Sequence, residues 1–179
     1  MKREFRSGKM NDEHKQTPRL NWWQLALVSV AVSFLGRLSA GRNKNKEQQI
    51  YSRELKQANW APPAWVFAPA WTVNNSFMLS ALQRLLKLPN GNKKSLLWLQ
   101  AGIWAIFFSF NYVYFRKKSP VLAAIWTKID TGLALSSLIL AWKADRKLAY
   151  KYIPLLAWTL FAGTVADYQA LHNRDKVFR

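Results

Sequence analysis

The chain contains no cysteine, only two histidines and few acidic residues among its 179 amino acids. The absence of cysteine excludes a disulfide framework and thiolate chemistry, and it argues against a zinc or haem-thiolate site. Neither a glycine-rich phosphate loop nor a Ser-His-Asp arrangement stands out. We therefore expect no metal site, no resident cofactor and no conventional acid–base catalysis.

Basic residues greatly outnumber acidic ones, 27 to 9, which gives a formal net charge of +18. Such a charge suits either nucleic acid or an anionic membrane surface. The lysines and arginines lie in separate groups between apolar segments, mainly at 2–19, 42–56, 116–118 and 143–151. Because charges are expelled from hydrocarbon, this spacing favours a lipid bilayer as the partner and argues against nucleic acid.

Five apolar segments are each about long enough to cross a membrane as a helix. They cover residues 21–40, 63–86, 96–115, 120–142 and 152–171. The sequence Pro89-Asn90-Gly91-Asn92 predicts a turn between the second and third segments. We predict an all-α integral membrane bundle of five transmembrane helices. It comprises a polar, basic and disordered tail at 1–20, the helical domain at 21–172 and a polar C-terminal tail at 173–179.

The alternative fold is a soluble helical bundle, whose helices would each show a polar face at the helical period. The third segment has almost no such face, because it contains Trp98, Ile103, Trp104, Ile106, Phe107, Phe108 and Phe110. A helix that is apolar all round is buried in a large protein or in lipid. This chain is short, so the membrane interpretation is favoured.

The most informative stretch runs from Trp60 to Trp71 and reads WAPPAWVFAPAW. Adjacent prolines, here Pro62 and Pro63, are typical of a helix start, where their missing N–H groups are not needed. Pro69 lies inside the apolar run and predicts a kink that opens space between helices. Trp71 lies about 9 Å deeper along the helix than Trp65, so anchoring at the membrane interface explains it poorly.

This pattern, W-x-P-P-x-W-x-F-x-P-x-W, resembles the signature of the TspO/MBR family, the translocator, tryptophan-rich sensory or peripheral-type benzodiazepine receptor proteins. Further matching positions follow in the family's order, and the resemblance covers about residues 20–172. The matching positions are Asn111 in the third helix, Trp126 and Asp130 in the fourth, and Pro154 and Trp158 in the fifth.

The resemblance implies a multi-pass membrane protein of the bacterial envelope or the mitochondrial outer membrane type, and a homodimer. It also implies binding of a tetrapyrrole such as protoporphyrin IX, with sterols in some members, for sensing, regulation or transport. Tryptophan faces suit a flat, apolar ligand, and a few polar groups orient it. The expected ligand-binding residues are Trp65, Trp71, Asn111, Trp126, Asp130 and Trp158, and the motif residues are Pro62, Pro63, Phe67, Pro69 and Pro154.

Other interpretations of these residues stay open. Asp130 has an equally plausible structural role, a hydrogen bond to Asn111 or to backbone, because buried polar groups serve both purposes. Lys128 points away from Asp130 and either extends to the membrane interface or meets Asp167. Asn75 and Ala166 stand where the family usually has tyrosine and asparagine, which leaves the detailed ligand preference open.

Three functions compete at this point. Binding of a flat apolar ligand is the leading one. The second is light-dependent porphyrin breakdown, which would rest on Trp71 and Trp158 with a bound photosensitiser. The third is small-molecule transport, disfavoured because the five segments show no clear internal repeat. Ala101 and Ala105 form a small-xxx-small pair suited to close helix packing, in line with the implied dimer.

Overall fold

The structure is a computed structural model, and it describes residues 20–39 and 50–178. Within these residues five long helices form the fold, and no strand occurs. They are α1 (Trp22–Leu38), α2 (Ala64–Leu85), α3 (Asn90–Asn111), α4 (Pro120–Ala144) and α5 (Ile153–His172). The predicted disordered tail lies outside the described residues, apart from Leu20. The all-α, five-helix prediction is confirmed.

Prolines and short polar side chains set the helix starts. Pro63, with an extended ψ of 149°, directly precedes α2. The Ser119 hydroxyl accepts a hydrogen bond from the Leu122 N–H at 3.1 Å and so caps α4. The predicted turn at Pro89–Asn92 is misplaced, because α3 already begins at Asn90 and the chain turns at 86–88. Extended Pro89 directly precedes the helix, and the following polar residues are tolerated in its first turn.

Helix α2 continues through Pro69 without interruption. The helical geometry changes at the end of α3, where Tyr112–Arg116 form one turn of π-helix. The Lys117 N–H donates to the Tyr112 carbonyl at 3.0 Å, five residues back. Such turns are rare and often occur at functional sites. Here the π-turn begins directly after Asn111, one of the predicted ligand-binding residues.

The five helices pack as a closed ring. Helix α1 contacts α2 and α3, helix α3 contacts α4, α4 contacts α5, and α5 contacts α2. The most extensive contact joins α4 and α5. The largest core cluster is built from α2 to α5 and from the segment between α4 and α5, and it contains no described residue of α1. One side of the ring is therefore tightly packed, and α1 closes the other side.

The outer surface of the bundle is largely apolar, and several polar side chains are buried beside its apolar core. Buried side chains include Asn74, Gln100, Asp130 and Gln169, whereas Trp98 on the outer surface of α3 is 70% exposed. Gly91–Arg116 and Pro120–Ala144 are by themselves long and apolar enough to span a membrane. An apolar exterior around a partly polar interior suits surrounding lipid, in which polar groups must be satisfied inside the protein.

Ion pairs and caps join the helices near both ends of the bundle. Arg84 of α2 binds Asp145, in the connector between α4 and α5, at 2.6 Å. The hydrogen bond from Arg84 is the main reason that the pKa of Asp145 lies below its usual range. Lys128 of α4 pairs with Asp167 of α5 on the outer surface, one of the two arrangements predicted for Lys128.

Asp175, beyond the end of α5, caps the start of α4. Its carboxylate accepts hydrogen bonds from the Ser119 hydroxyl at 2.6 Å and from the Val121 N–H at 2.9 Å. Burial raises the pKa of Asp175, but these hydrogen bonds outweigh it and leave the pKa lowered. A carboxylate held at a helix N-terminus is favourable, so part of the predicted polar C-terminal tail has a structural role.

Candidate functional site

The connector before α2 forms one end of the site. The Tyr51 hydroxyl donates to the Pro62 carbonyl at 2.8 Å, which ties the connector to the start of α2. Burial raises the pKa of Tyr51 to about 12, so its hydroxyl stays a donor at neutral pH. Further along, Gln169 of α5 donates to the Gln57 side chain at 2.7 Å, and Trp60 donates to Thr164 at 3.2 Å. The connector therefore bridges from α2 to the last turns of α5.

A cavity of about 650 Å³ lies beside this connector, between α1, α2, α3 and α5. We call it the large cavity. Aromatic rings form much of its wall, and the main ones from α2 and α3 are Trp65, Phe67, Trp71, Phe107 and Phe110. Trp65 is 73% exposed and lies at the open edge of the cavity, whereas the other rings are half-buried or buried. The volume is within the range of small-molecule binding sites.

The polar lining of the large cavity is neutral, since none of its described residues is charged. Several of its polar atoms are already committed to protein partners. The Asn111 amide donates to the Gly36 carbonyl of α1 at 3.0 Å, and the Tyr114 hydroxyl donates to Gln169 at 2.8 Å. Such a lining suits an apolar ligand with few polar groups. It does not offer a cation for a buried carboxylate.

A second, much smaller space of about 20 Å³ lies between α2, α3, α4 and α5, and we call it the small compartment. Asp130 and Trp158 line it, together with Thr127, Thr159 and Ile106. Both spaces share five lining residues: Phe67, Trp71, Phe107, Phe110 and Ala162. The two spaces are therefore neighbours separated by a single layer of side chains.

Five of the six predicted ligand-binding residues line these two spaces. Trp65, Trp71 and Asn111 line the large cavity, and Trp71, Asp130 and Trp158 line the small compartment. Trp126 lines neither space, although it is one turn from Asp130 on the same helix. Its indole N–H donates to the Ser109 hydroxyl of α3 at 2.9 Å, so it joins α3 to α4.

The proposed hydrogen bond between Asp130 and Asn111 is absent from the described residues. Asn111 donates to Gly36 instead, and the Oδ1 atom of Asp130 is buried without a hydrogen-bond partner there. Phe67, predicted only as a motif residue, lines both spaces. Its ring contacts those of Tyr51 and Trp158, with centroids 5.3 and 5.7 Å away. The other motif residues shape the backbone, with Pro154 in the first turn of α5.

Sequence reasoning missed several lining residues, among them Gln169 and Tyr51. Gln169 could have been predicted, because it lies eleven residues after Trp158. Eleven residues make about three helical turns, so both lie on one face of α5 together with Ala162 and Ala166. Tyr51 had no such signal, since it lies in a short π-helical turn, Ile50–Glu54, outside the long helices and reaches the site only through tertiary contacts.

The model of the TspO/MBR family matches residues 25–170. The chain belongs to the TspO/MBR family. It is thus a multi-pass membrane protein, and its five long helices are the membrane bundle of this family.

Individual relatives of this TspO/MBR protein come from a yeast and from bacteria. The translocator protein homolog of Schizosaccharomyces pombe is 31% identical over 150 residues, which cover 80% of this chain and 86% of that protein. The protein CrtK of Rhodobacter capsulatus is 23% identical over 120 residues, 62% of this chain and 71% of that protein. The tryptophan-rich protein TspO of Chlorobaculum tepidum is 24% identical over 122 residues, 66% and 76% of the two chains.

The two departures from the usual TspO/MBR pattern have different surroundings. Asn75 is buried and donates to the Ser33 hydroxyl of α1 at 2.9 Å, so it holds α1 against α2. Ala166 lines the large cavity. The small side chain of Ala166 leaves room in the cavity. Asn75 stands where the family usually has a tyrosine ring, and it forms a hydrogen bond between two helices.

Proposed function

We propose that this protein binds a flat, apolar ligand in the large cavity, with a tetrapyrrole such as protoporphyrin IX as the main candidate. The observation that carries the proposal is the aromatic wall of the cavity. Rings from two adjacent helices, Trp65, Trp71, Phe107 and Phe110 among them, line one continuous space of about 650 Å³. Aromatic faces gain affinity by stacking on a planar ligand.

Two further features support a flat apolar ligand over a charged solute. The lining of the large cavity carries no charged residue among those described, so a charged group inside it would lose its hydration without compensation. The apolar ring of protoporphyrin IX suits this interior, whereas its two carboxylates must stay at the open edge of the cavity. Trp65 lies at the edge of the cavity and is largely exposed, on a surface that faces lipid. An apolar ligand is concentrated in the bilayer and reaches such an edge without crossing water.

The test is a titration of the full chain in detergent with protoporphyrin IX and, in parallel, with a sterol. Replacing Trp71 with alanine removes a ring shared by both spaces, and we expect porphyrin affinity to fall about tenfold, about 1.4 kcal/mol. Porphyrin absorbance and quenching of tryptophan fluorescence provide two independent readouts.

Trp98→Ala is the matched control, because Trp98 lies on the outer surface of α3 and lines neither space. This variant removes a tryptophan from the membrane face and leaves the cavity intact, so porphyrin affinity is expected to stay within about twofold. Equal porphyrin affinity in wild type and Trp71→Ala contradicts the proposal. Tighter binding of the sterol than of protoporphyrin assigns the cavity to sterols.

Light-dependent porphyrin breakdown is a second candidate. It is favoured by the position of two oxidisable indoles, Trp71 and Trp158, which line the same small compartment beside the large cavity. Illumination of the porphyrin complex in the presence of dioxygen would then yield a bilin-like product, detected by absorbance and mass spectrometry. Loss of this product in Trp158→Phe with retained porphyrin binding would separate catalysis from binding.

The biological use of the binding site is proposed as tetrapyrrole sensing, regulation or transport. A flux assay in liposomes distinguishes transport from the other two, since only transport moves porphyrin across a sealed membrane. A homodimer is proposed as well. Ala101 and Ala105 are both exposed on the outer face of α3, where small residues allow two helices to approach closely. Ala105→Leu is expected to shift the protein towards the monomer in detergent, measured by light scattering.

A further inference from the structure

Two connectors at one end of the bundle carry an excess of positive charge. One covers residues 84–94, from the last turn of α2 to the start of α3, and the other covers residues 143–151, between the end of α4 and the start of α5. The ion pair of Arg84 with Asp145 at 2.6 Å joins the two connectors. Asp145 is the only acidic residue in either range, among several lysines and arginines. We call this part of the molecule the basic end.

The carboxylate of Asp145 is already committed to partners within the protein. It accepts a hydrogen bond from Arg84 at 2.6 Å and further ones from the backbone N–H groups of Lys147 at 2.8 Å and Leu148 at 3.2 Å. Asp145 therefore neutralises Arg84 and leaves the other cations of the basic end uncompensated. Burial lowers the pKa of Lys151, and the nearby charge of Arg84 lowers it further. An anion bound at this end would offset such repulsion between cations.

Aromatic rings and cations lie together on the outer surface of the basic end. The Arg146 guanidinium is 5.5 Å from the centre of the Trp142 ring, and the Tyr150 ring meets Trp142 edge-on with centroids 5.5 Å apart. Both rings are exposed. Lys143 and Arg146 are exposed as well, and neither forms an ion pair among the described residues. We call Trp142, Lys143, Arg146 and Tyr150 the outer corner, whose tryptophan and tyrosine are typical of the level of lipid headgroups.

A strip of exposed apolar side chains leads from the outer corner into the membrane span. Leu135, Ile139 and Trp142 follow one another at intervals of four and three residues, so they share one face of α4. All three are exposed. At 1.5 Å per residue the strip extends about 10 Å below Trp142. The outer corner therefore places unpaired cations directly above an apolar surface.

We propose that the outer corner binds an anionic phospholipid. Lys143 and Arg146 contact its phosphate, and its acyl chains lie along Leu135 and Ile139. Arginine suits a phosphate, because its planar guanidinium donates two parallel hydrogen bonds. A free phosphate or a nucleic acid would use the cations but leave the apolar strip uncovered, so the strip favours a lipid. The inference does not depend on what the large cavity binds.

The test compares two lipids that differ only in the headgroup, dioleoyl phosphatidylglycerol and dioleoyl phosphatidylcholine. The full chain is purified in detergent, freed of lipid and titrated with each, and native mass spectrometry measures the bound lipid. We expect wild type to bind the anionic lipid about tenfold more tightly, as two cations beside a headgroup allow. Soluble glycerol 3-phosphate in large excess should not displace it, because this compound has no acyl chains.

Two sets of variants separate the cations from the apolar strip. In Lys143→Gln with Arg146→Gln, the preference for phosphatidylglycerol is expected to fall to about twofold. Arg146→Lys retains the charge, so its preference should stay within about twofold of wild type. Leu135→Ala with Ile139→Ala should weaken both lipids by a similar factor, about fivefold, and leave the preference unchanged.

Lys87→Gln with Lys94→Gln is the matched control. It removes the same amount of charge from the same end of the bundle, but in the connector between α2 and α3 and outside the outer corner. This variant is expected to keep the preference of wild type. Thermal unfolding without added lipid monitors folding, and the midpoints of the lysine and arginine variants should agree within about 2 °C.

Four outcomes overturn the inference. Equal binding of the two lipids by wild type means that the headgroup charge is not recognised. An unchanged preference in Lys143→Gln with Arg146→Gln places any recognition elsewhere. An equal loss in Lys87→Gln with Lys94→Gln means that the whole basic end attracts anions diffusely. Displacement of phosphatidylglycerol by glycerol 3-phosphate assigns the outer corner to a soluble phosphate.

Discussion

Helices α4 and α5 form one side of the bundle, helices α1 and α2 form the other, and the two sides are held together differently. On the α4–α5 side, small or apolar residues such as Ala134, Ala141 and Leu155 are fully buried in the main core cluster. On the α1–α2 side, contacts include hydrogen bonds between Ser76 and Ser29 at 2.9 Å and between Asn75 and Ser33 at 2.9 Å.

This difference explains where the large cavity lies. Close packing of small side chains leaves only the small compartment beside α4 and α5, and the large cavity opens where α1 contributes Val30, Ser33 and Phe34 to its wall. Polar contacts hold α1 in register without requiring close packing along its whole length. The packed side therefore provides stability, and the α1 side provides room for a ligand. Four predictions test this comparison, from the largest expected effect to the smallest.

Truncation of a side chain in the packed core should cause the largest loss of stability. Leu155 is 1% exposed in the main cluster, and Leu155→Ala leaves a cavity that costs about 2–5 kcal/mol. The surface control is Leu27→Ala, at an exposed position of α1, with an expected cost within about 0.5 kcal/mol. Thermal unfolding of both variants in the same detergent measures the difference. Similar losses would contradict a tightly packed core around Leu155.

A methyl group added between α1 and α3 should weaken ligand binding. At Gly36 of α1, an added Cβ would lie 2.6 Å from an atom of the Phe107 ring, which lines both spaces. Gly36→Ala must therefore move this ring or α1, and we expect porphyrin affinity to fall about tenfold, about 1.4 kcal/mol.

The matched control for that change is Gly132→Ala on α4. Nothing lies within 4 Å of the Cβ that this substitution adds, so the helix gains propensity without a clash. We expect unchanged porphyrin affinity and equal or slightly higher thermal stability. Titration of both glycine variants with the same porphyrin stock makes the comparison direct. Equal affinity in Gly36→Ala and Gly132→Ala would count against a cavity bounded by Phe107.

The polar contacts of α1 should each contribute little to stability. Asn75→Ala and Ser33→Ala both remove the hydrogen bond at 2.9 Å between α1 and α2. Interhelical hydrogen bonds in membranes contribute about 0.6 kcal/mol, so a double-mutant cycle should give a coupling free energy of that size. A coupling above about 2 kcal/mol would mean that α1 is held as firmly as the packed side.

Acid should slightly weaken the ion pair that joins α2 to the connector between α4 and α5. Arg84 lowers the pKa of Asp145 in the folded state. A carboxyl group whose folded pKa is lowered stabilises the protein above its unfolded pKa, about 3.9, and loses this contribution as the pH falls through the folded pKa. We expect wild type to lose more thermal stability than Arg84→Gln between pH 6 and pH 3. The effect is small, because the pair is partly exposed.

Most of the fold could be predicted from the sequence, whereas only part of the candidate site could. Helix starts at Pro63, Pro120 and Pro154 follow from local chemistry, since proline suits the first turn or the residue before it. Asp130 could be assigned to the interior, because a carboxylate at membrane depth is costly to leave facing lipid. Trp71 could be assigned there because it lies too deep for interface anchoring. The partners of these side chains could not be predicted, as Trp126 demonstrates with its bond to Ser109.

The sequence by itself determined that the chain forms five apolar helices in a membrane, because the length of each apolar run and the charges between the runs are local properties. It also determined the family, through motif residues at set spacings. Only the tertiary structure decided that the cavity opens beside α1, that Tyr51 and Gln169 border it, and that Asp130 and Trp158 face one small space. These features depend on how helices distant in sequence pack together, which no local pattern encodes.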